Sequence, residues 1–194
     1  MTAAKKRRIG EGGKMAKKVL ILSSSPNRNG NSDLLAEEFK RGAVEAGNQV
    51  EKIFLRDKKV GYCVACQFCK TKGNGVCAIK DDMAEILKKM HEADVIALAS
   101  PVYFYGINAQ MKTILDRTYA SWTGLVDKEI YYIVSCADDA DTCIDAAVEQ
   151  FNGWEICLPN PKRCGVVYGK GVGAPGEVKN KPSYKEAYEM GRSV

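Results

Sequence analysis

Long apolar segments are missing from this sequence of 194 residues. A helix that crosses a membrane needs about 20 consecutive, predominantly apolar residues, and no stretch approaches that length. The first residues also lack the apolar run of a secretory signal peptide. We therefore expect a soluble protein of the cytoplasm that has no membrane partner.

Charge of one sign is also scarce outside the first residues. The formal net charge is +5, but five Lys and Arg residues against a single Glu fall within residues 1–14. The remainder is close to neutral, so charge gives no reason to expect a nucleic-acid partner. A second Met, Met15, directly precedes the first strand pattern. We interpret residues 1–14 as a disordered basic leader or an artificial extension, and residues 15–194 as a single domain.

Apolar periodicity alternates between strand and helix along the rest of the chain, without internal repeats. Strands are predicted at residues 19–22, 50–55, 94–99, 129–135 and 163–168. Helices are predicted at residues 32–46, 107–119, 139–151 and 182–190, with a further one opening at residue 81. This alternation predicts an α/β fold with a doubly wound, five-stranded parallel sheet of order 2-1-3-4-5 and helices on both faces.

A polar loop follows the first predicted strand. Residues 20–32 read Leu-Ile-Leu and then Ser-Ser-Ser-Pro-Asn-Arg-Asn-Gly-Asn-Ser. Free backbone N–H groups, the helix dipole and short polar side chains can together hold a phosphate at such a place. The loop has neither the Gly-x-Gly-x-x-Gly nor the Walker pattern, which favours a mononucleotide phosphate. The alternative is an ordinary strand-to-helix turn capped by Ser32.

An aromatic loop follows the third predicted strand. Residues 101–106 read Pro-Val-Tyr-Phe-Tyr-Gly and precede the next helix. In a sheet of order 2-1-3-4-5 the ends of strands 1 and 3 border the ligand crevice. Aromatic side chains at that position suit a flat conjugated ring. A phosphate on one side and a ring platform on the other fit flavin mononucleotide (FMN).

Four of the eight cysteines are clustered with the spacing C-x2-C-x2-C-x7-C, namely Cys63, Cys66, Cys69 and Cys77. Thiolates at this spacing can turn toward a common centre and supply the four ligands of a [4Fe–4S] cluster. Free or redox-active thiols and a zinc site are the alternatives. Without a signal peptide, we expect no disulfide framework. The other four, Cys136, Cys143, Cys157 and Cys164, are expected to be buried as small hydrophobes.

These motifs resemble those of a known family. Three motifs occur in matching order along the chain. The first is residues 25–32, and the second is the cysteine run that leads to Asp-Asp-Met at 81–83. The third begins at residues 100–104 and continues through 110–112 to Asp-Arg at 116–117. Over about residues 17–192 the sequence resembles the NADPH-dependent FMN reductases and iron–sulfur flavoproteins, which are flavodoxin-like. The resemblance implies a flavodoxin-like fold, bound FMN, and NAD(P)H as the reductant.

The resemblance also implies a set of cofactor-binding residues. The FMN phosphate would be held by Ser25, Asn27, Asn31 and Ser32, and the isoalloxazine would be lined by Pro101, Val102, Tyr103, Phe104 and Gly106. Residues 135–138 would approach the far edge of the ring. Relatives usually carry Arg or Lys where this chain has Asn27, so either Arg28 supplies the positive charge or the charge that faces the phosphate is weaker. No side chain is predicted to be catalytic, because the flavin N5 carries the chemistry.

The sequence thus predicts an FMN-dependent oxidoreductase that takes hydride from NAD(P)H and passes electrons to a small acceptor such as a quinone or flavin. One alternative is an iron–sulfur flavoprotein that carries electrons between redox proteins, with a [4Fe–4S] cluster on the four clustered cysteines. The other is a binding or regulatory module without turnover. The resemblance further implies a homodimer or homotetramer.

Overall fold

A computed structural model describes residues 15–194. The strands are β1 (Lys18–Ser23), β2 (Gln49–Phe54), β3 (Val95–Tyr103), β4 (Gly106–Ile107), β5 (Glu129–Ser135) and β6 (Lys162–Gly169). The helices are α1 (Asn31–Glu45), α2 (Met83–Glu92), α3 (Ala109–Arg117), α4 (Asp141–Glu155) and α5 (Pro182–Arg192). The prediction of a disordered leader at residues 1–14 lies outside the described residues.

The five long strands form a parallel sheet in the order β2-β1-β3-β5-β6, which confirms the predicted fold. One further strand, the two-residue β4, was not predicted, and it pairs antiparallel with the end of β3. The prediction that β3 ends at residue 99 and is followed by a loop is therefore wrong. The chain reverses at Phe104 and Tyr105, which have positive φ angles of 49° and 61°. Asn and Gly are the usual residues of such a turn, so two aromatics give no hairpin signal in the sequence.

Two apolar layers cover the sheet. Alternate residues of β1 face opposite sides: Leu20 and Leu22 pack with α2, α3 and α4, while Val19 and Ile21 pack with α1 and α5. Strands that are buried on both faces read as continuous apolar runs, which explains why the central strands were easily found in the sequence. The helices after β1 and β3 lie on opposite faces, so a crevice opens between the carboxyl ends of these neighbouring strands.

Helices α1 and α5 approach each other backbone to backbone. A Cβ atom added to Gly42 would lie 2.1 Å from the carbonyl oxygen of Tyr188, and one added to Gly191 would lie 2.1 Å from that of Phe39. Real Cβ atoms do not make contacts this short. The glycines are therefore required by the spacing of the two helices, which holds the C-terminal residues against the sheet.

A buried ion pair joins the two ends of residues 61–81, the segment that carries the clustered cysteines. The Arg117 side chain is only 1% exposed and contacts both carboxylate oxygens of Asp81, at 2.8 and 2.9 Å. Arg117 also donates to the carbonyl oxygen of Gly61 at 2.6 Å, and the Gly61 N–H donates to Asp81 at 2.9 Å. Burial raises the pKa of Asp81, but the hydrogen bonds from Arg117, Gly61 and the Met83 N–H outweigh it and hold that pKa below its ordinary value. Both ends of residues 61–81 are thus fixed to the end of α3.

The scattered cysteines do not all behave as expected. Cys136 and Cys143 are buried, but they form a disulfide instead of packing as free thiols. The end of β5 and the first turn of α4 bring these two residues together, a proximity that the sequence spacing does not reveal. The expected burial of Cys157 is wrong, because it is exposed just beyond α4. Cys164 is half-buried, and burial raises the pKa of its thiol.

Within residues 15–194, the search for a helix long and apolar enough to cross a membrane finds none.

Replacing Gly42 by Ala is expected to lower the free energy of unfolding by about 1–3 kcal/mol, because the new methyl group overpacks the contact between α1 and α5. Gly153, in α4, is the matched control, since a Cβ there meets nothing within 4 Å. Gly153→Ala should instead stabilise the protein by about 0.5–1 kcal/mol, the usual gain of Ala over Gly in a helix. Denaturant titration measures both, and equal effects of the two substitutions would contradict the close contact.

Replacing Asp81 by Asn should destabilise the protein most at neutral pH. The ionised carboxylate of Asp81 has a lowered pKa, so its contribution to stability is present above the unfolded value near 4 and is lost as the pH falls through the folded value. The difference between wild type and variant should therefore shrink as the pH falls below about 4. Asp116→Asn, which removes an exposed partner of Lys112 on the same helix, is the control and should have little effect. Denaturation at a series of pH values tests this, and a difference that does not depend on pH would refute it.

Candidate functional site

The carboxyl ends of β1 and β3 enclose a cavity of about 150 Å³. Its lining joins the two loops that the sequence singled out, together with two segments further along the chain. The lining residues are Ser25, Pro26, Asn27, Gly30, Asn31, Ser32, Pro101, Val102, Tyr103, Ser135, Ala137, Val172, Gly173 and Pro175. The loop after β1 and the end of β3, which are far apart in the sequence, therefore share one crevice at the predicted switch point of the sheet.

A buried asparagine that the sequence analysis missed fixes the two loops relative to each other. Asn108 is 1% exposed, and its amide donates to the carbonyl oxygen of Ser24 at 2.6 Å. Its own N–H donates to Ser100 Oγ at 3.1 Å, and its side-chain oxygen accepts from the Met111 N–H as the N-cap of α3. Asn108 thus connects the end of β1, the end of β3 and the start of α3.

A buried carboxylate supports the first loop, which connects β1 to α1. Asp33 accepts from Ser23 Oγ at 2.7 Å and from the Asn29 N–H at 3.2 Å. Asn29 has a positive φ of 61°, a backbone conformation that residues other than glycine uncommonly adopt, and this hydrogen bond supports it. Lys52 of β2 forms an ion pair with Asp33 at 2.6 Å and balances its charge. The loop shape is therefore determined by the chain itself.

The start of α1 has free hydrogen-bonding capacity that faces the crevice. The helix begins at Asn31 and its N-cap residue is Gly30, so Ser32 is not the N-cap, and Gly30 offers no side-chain hydrogen bond to the first turn. The buried Oγ of Ser32 finds no hydrogen-bond partner in this part of the chain. An unpaired buried hydroxyl beside uncapped N–H groups is the arrangement that a phosphate would satisfy. The residues present at this end fit FMN.

Two other predicted phosphate ligands are already engaged within the protein. Ser25 Oγ donates to the Asn27 carbonyl oxygen at 2.7 Å, within the loop. The Asn31 side chain binds the backbone of residues 172–178, so it is not free to contact a phosphate. Arg28, predicted to supply positive charge, lies outside the cavity lining, pairs with Asp57 and stacks on Phe54 at 4.7 Å.

The predicted ring platform is only partly assembled around the cavity. Pro101, Val102 and Tyr103 line it, with Tyr103 about half exposed. Phe104 projects into solvent at the tip of the hairpin between β3 and β4. Gly106 packs against the Gln150 side chain, where an added Cβ would lie 2.7 Å from the amide nitrogen. Phe104 and Gly106 therefore lie outside the lining.

The remaining part of the cavity lining was predicted only in part from the sequence. Ser135 and Ala137 were placed near the ring by resemblance and do line the cavity. Val172, Gly173 and Pro175, which follow β6, were not predicted to take part. They belong to an irregular segment without apolar periodicity, so no sequence signal marks them.

The four clustered cysteines are not brought together as a metal site. Cys63 and Cys66 are exposed, whereas Cys69 and Cys77 are half-buried and pack against the core. Among the described residues, no group of three or more His, Cys, Asp or Glu side chains is placed to hold a metal ion. The donor chemistry suits a [4Fe–4S] cluster, but this arrangement of the thiols does not form its ligand cage.

Solved structures of several oxidoreductases share this fold. An azoreductase from Bacillus anthracis has a TM-score of 0.72 at 16% identity and covers 92% of this chain and 100% of its own. An NAD(P)H:quinone oxidoreductase from Methanothermobacter marburgensis has a TM-score of 0.69 at 17% identity, with coverage of 92% and 96%. An FMN-dependent NADH-azoreductase from Bacillus anthracis, solved in complex with FMN, has a TM-score of 0.70 at 19% identity, with coverage of 91% and 98%. At these identities the likeness establishes the fold.

Curated relatives are more similar in sequence over a shorter stretch. An iron–sulfur flavoprotein from Methanocaldococcus jannaschii is 48% identical over 101 residues, which cover 52% of this chain and 51% of the relative. One from Archaeoglobus fulgidus is 37% identical over 100 residues, covering 52% and 44%. The chain spans about half the length of the curated relatives it matches.

The family model described as NADPH-dependent FMN reductase matches residues 17–154. That range runs from β1 to the last turn of α4 and includes both loops at the crevice and the cysteine segment. It is more than half of the chain, and the fold agrees with it. The chain belongs to the NADPH-dependent FMN reductase family.

Proposed function

We propose that residues 15–194 form a single cytoplasmic domain that binds FMN in the crevice between β1 and β3. The domain would take hydride from NAD(P)H and pass electrons to a small acceptor such as a quinone or flavin. The observation that carries this proposal is the cavity itself, whose lining includes both Ser32, with its unpaired hydroxyl, and the end of β3 at residues 101–103. Family membership and the reductases among the structural neighbours support it.

In this proposal the start of α1 holds the phosphate. Ser32 Oγ and the N–H groups of the first helical turn donate hydrogen bonds, and the helix dipole favours the negative charge. The cavity lining carries no cationic side chain, so these neutral donors would have to bind the anion. Because the loop is already fixed by Asp33 and Asn108, little ordering should accompany binding.

The ring would extend beyond the enclosed volume. The cavity of about 150 Å³ is smaller than the roughly 300–1,000 Å³ typical of pockets that enclose a ligand. Val102 and Tyr103, at the open edge, would support one face of the ring and leave the other face accessible to NAD(P)H and then to the acceptor. When bound, the flavin supplies hydride acceptance and electron transfer, while these residues position it.

We also propose that the protein is a homodimer or homotetramer in which a neighbouring subunit covers the hairpin tip. Phe104 is fully exposed, and Tyr103 and Tyr105 beside it are each about half exposed. Contiguous exposed aromatics commonly mark an interaction site. The molar mass in solution, measured by light scattering, tests this proposal.

A second candidate function is electron transfer between proteins by an iron–sulfur flavoprotein. It is favoured by the confinement of all four clustered cysteines to residues 61–81, whose two ends are fixed by Arg117 and Asp81. The names of the first curated relatives point the same way. Among the described residues the thiols are not gathered as a ligand set, so they would have to move toward one another to hold a cluster.

Ser32→Ala is expected to weaken FMN binding by about tenfold or more, the effect of losing a hydrogen bond to a charged group. Riboflavin lacks the phosphate, so its affinity should not change. The FMN-free variant should be at least as stable as wild type, because an unsatisfied buried hydroxyl is removed. Flavin fluorescence titration and thermal denaturation measure these effects.

Ser183→Ala is the matched control, since Ser183 in α5 also has a buried, unpaired hydroxyl but lies away from the crevice. It should leave both flavin affinities unchanged. The proposed phosphate contact is wrong if Ser32→Ala lowers the FMN and riboflavin affinities equally, or if Ser183→Ala lowers the FMN affinity as much.

Anaerobic mixing of the FMN-loaded protein with NADPH or NADH should rapidly bleach the oxidised-flavin absorbance, and added quinone should restore it. Iron and acid-labile sulfide measured on the same preparation separate the two candidates. Stoichiometric iron that is lost in Cys66→Ser but kept in Cys157→Ser, an exposed cysteine outside the segment, would favour the electron carrier. A flavin that neither nucleotide bleaches would reject the reductase.

A further inference from the structure

One side chain joins the phosphate loop to the segment after β6. The Asn31 side chain is 8% exposed and donates to the carbonyl oxygens of Val172 and Ala174, at 3.2 and 2.9 Å. Its oxygen accepts from the N–H groups of Gly176 and Val178, at 3.0 and 3.2 Å. A carboxamide has two donor hydrogens and two acceptor lone pairs, so its hydrogen-bonding capacity is fully used.

The segment that Asn31 holds has no regular structure that would fix its position. Gly171 and Gly176 have positive φ angles of 61° and 92°, and a short 3₁₀ turn begins only at residue 177. Yet Val172, Gly173 and Pro175 form one wall of the cavity. Contacts from outside the segment must therefore hold this wall in place, and Asn31 makes four of them.

We infer that Asn31 is a positioning residue for the cofactor site. It acts by fixing residues 172–178, the segment whose Val172, Gly173 and Pro175 form one wall of the cavity. It would therefore not bind the phosphate through its side chain. This inference rests on the proposed FMN site. It adds to the site a segment that lies beyond the matched family range of residues 17–154.

The wall has little capacity of its own to bind an anion. Its N–H groups at Gly173 and Ala174 donate to Glu177 Oε2, at 2.7 and 3.0 Å. The wall therefore presents carbon surface and a nearby carboxylate, which suit the uncharged part of a flavin better than its phosphate. Loss of the wall should then affect FMN and riboflavin alike, whereas loss of a phosphate contact should affect FMN alone.

The first test measures hydrogen exchange in the flavin-free protein. Asn31→Ala should speed exchange at the Gly176 and Val178 amides by about tenfold or more, since each loses its acceptor. The amides of β3 report on global folding and should not change.

The second test compares the affinities for FMN and riboflavin. Asn31→Ala should weaken both by a similar factor of about tenfold, leaving their ratio near that of wild type. The matched control is Asn48→Ala, which also removes side-chain bonds to the backbone, here at Lys17 and Val194, away from the cavity. It should leave both flavin affinities and the two amides unchanged.

Several outcomes would overturn the inference. Unchanged exchange at both amides in Asn31→Ala would show that the segment is held by other contacts. Selective loss of FMN affinity, with riboflavin affinity unchanged, would make Asn31 a direct phosphate ligand. If wild type binds neither flavin, the proposed function and the positioning role fail together, while faster exchange in Asn31→Ala would still show that Asn31 holds the segment.

Discussion

The buried amide of Asn108 is the contact on which the arrangement of the crevice depends. Where the helices after two neighbouring parallel strands leave toward opposite faces, the segments that follow the strand ends diverge and a crevice opens between them. Asn108 holds these segments together, because its side chain donates to the Ser24 carbonyl oxygen and accepts from the Met111 N–H of α3, while its own N–H donates to Ser100 Oγ. At 1% exposure it has no competing water, so replacing it would leave several buried polar groups unpaired. The N–H and Oγ of Ser24 also donate to the Ala99 carbonyl oxygen, at 2.9 and 3.0 Å, so Asn108 and Ser24 together fix the first loop against β3.

The first loop shows how stability and binding capacity are separated within a few residues. Asp33 and Lys52 form a buried ion pair. Asp33 also accepts a hydrogen bond from the Asn29 N–H and so supports the turn of the first loop. Ser32, one residue before Asp33, is buried with its hydroxyl unpaired. Leaving a buried hydroxyl unsatisfied is unfavourable by about 1–3 kcal/mol, so the folded chain alone gives no reason for it. Ser183 has an unpaired buried hydroxyl as well, so this feature alone does not mark a site. What distinguishes Ser32 is its place in the cavity lining at the start of α1, and this is why we propose an anion as its partner.

Sequence periodicity was sufficient for the fold but only partly sufficient for the site. Central strands such as β5 are continuous apolar runs, and their order follows from the alternation with helices. The hairpin at Phe104 and Tyr105 was missed because both residues adopt a backbone conformation that Asn and Gly usually mark. The wall at residues 172–178 was missed because it is irregular. Asn31 was placed in the correct loop, but its partners lie more than 140 positions away, and local sequence carries no information about such a contact.

Helix α3 connects the crevice to the segment that carries the clustered cysteines. Its first turn is capped by Asn108, which orders the crevice, and its last residue is Arg117, which fixes both ends of the cysteine segment. A helix of nine residues is about 14 Å long at 1.5 Å per residue, so the two regions are attached to opposite ends of one short rigid element. The base of the cysteine segment is fixed while Cys63 and Cys66 remain exposed. Cys69 and Cys77, by contrast, pack against the core. Of the four thiols, only Cys63 and Cys66 could therefore move without disturbing the core, because the buried pair of Arg117 and Asp81 holds both ends of the segment.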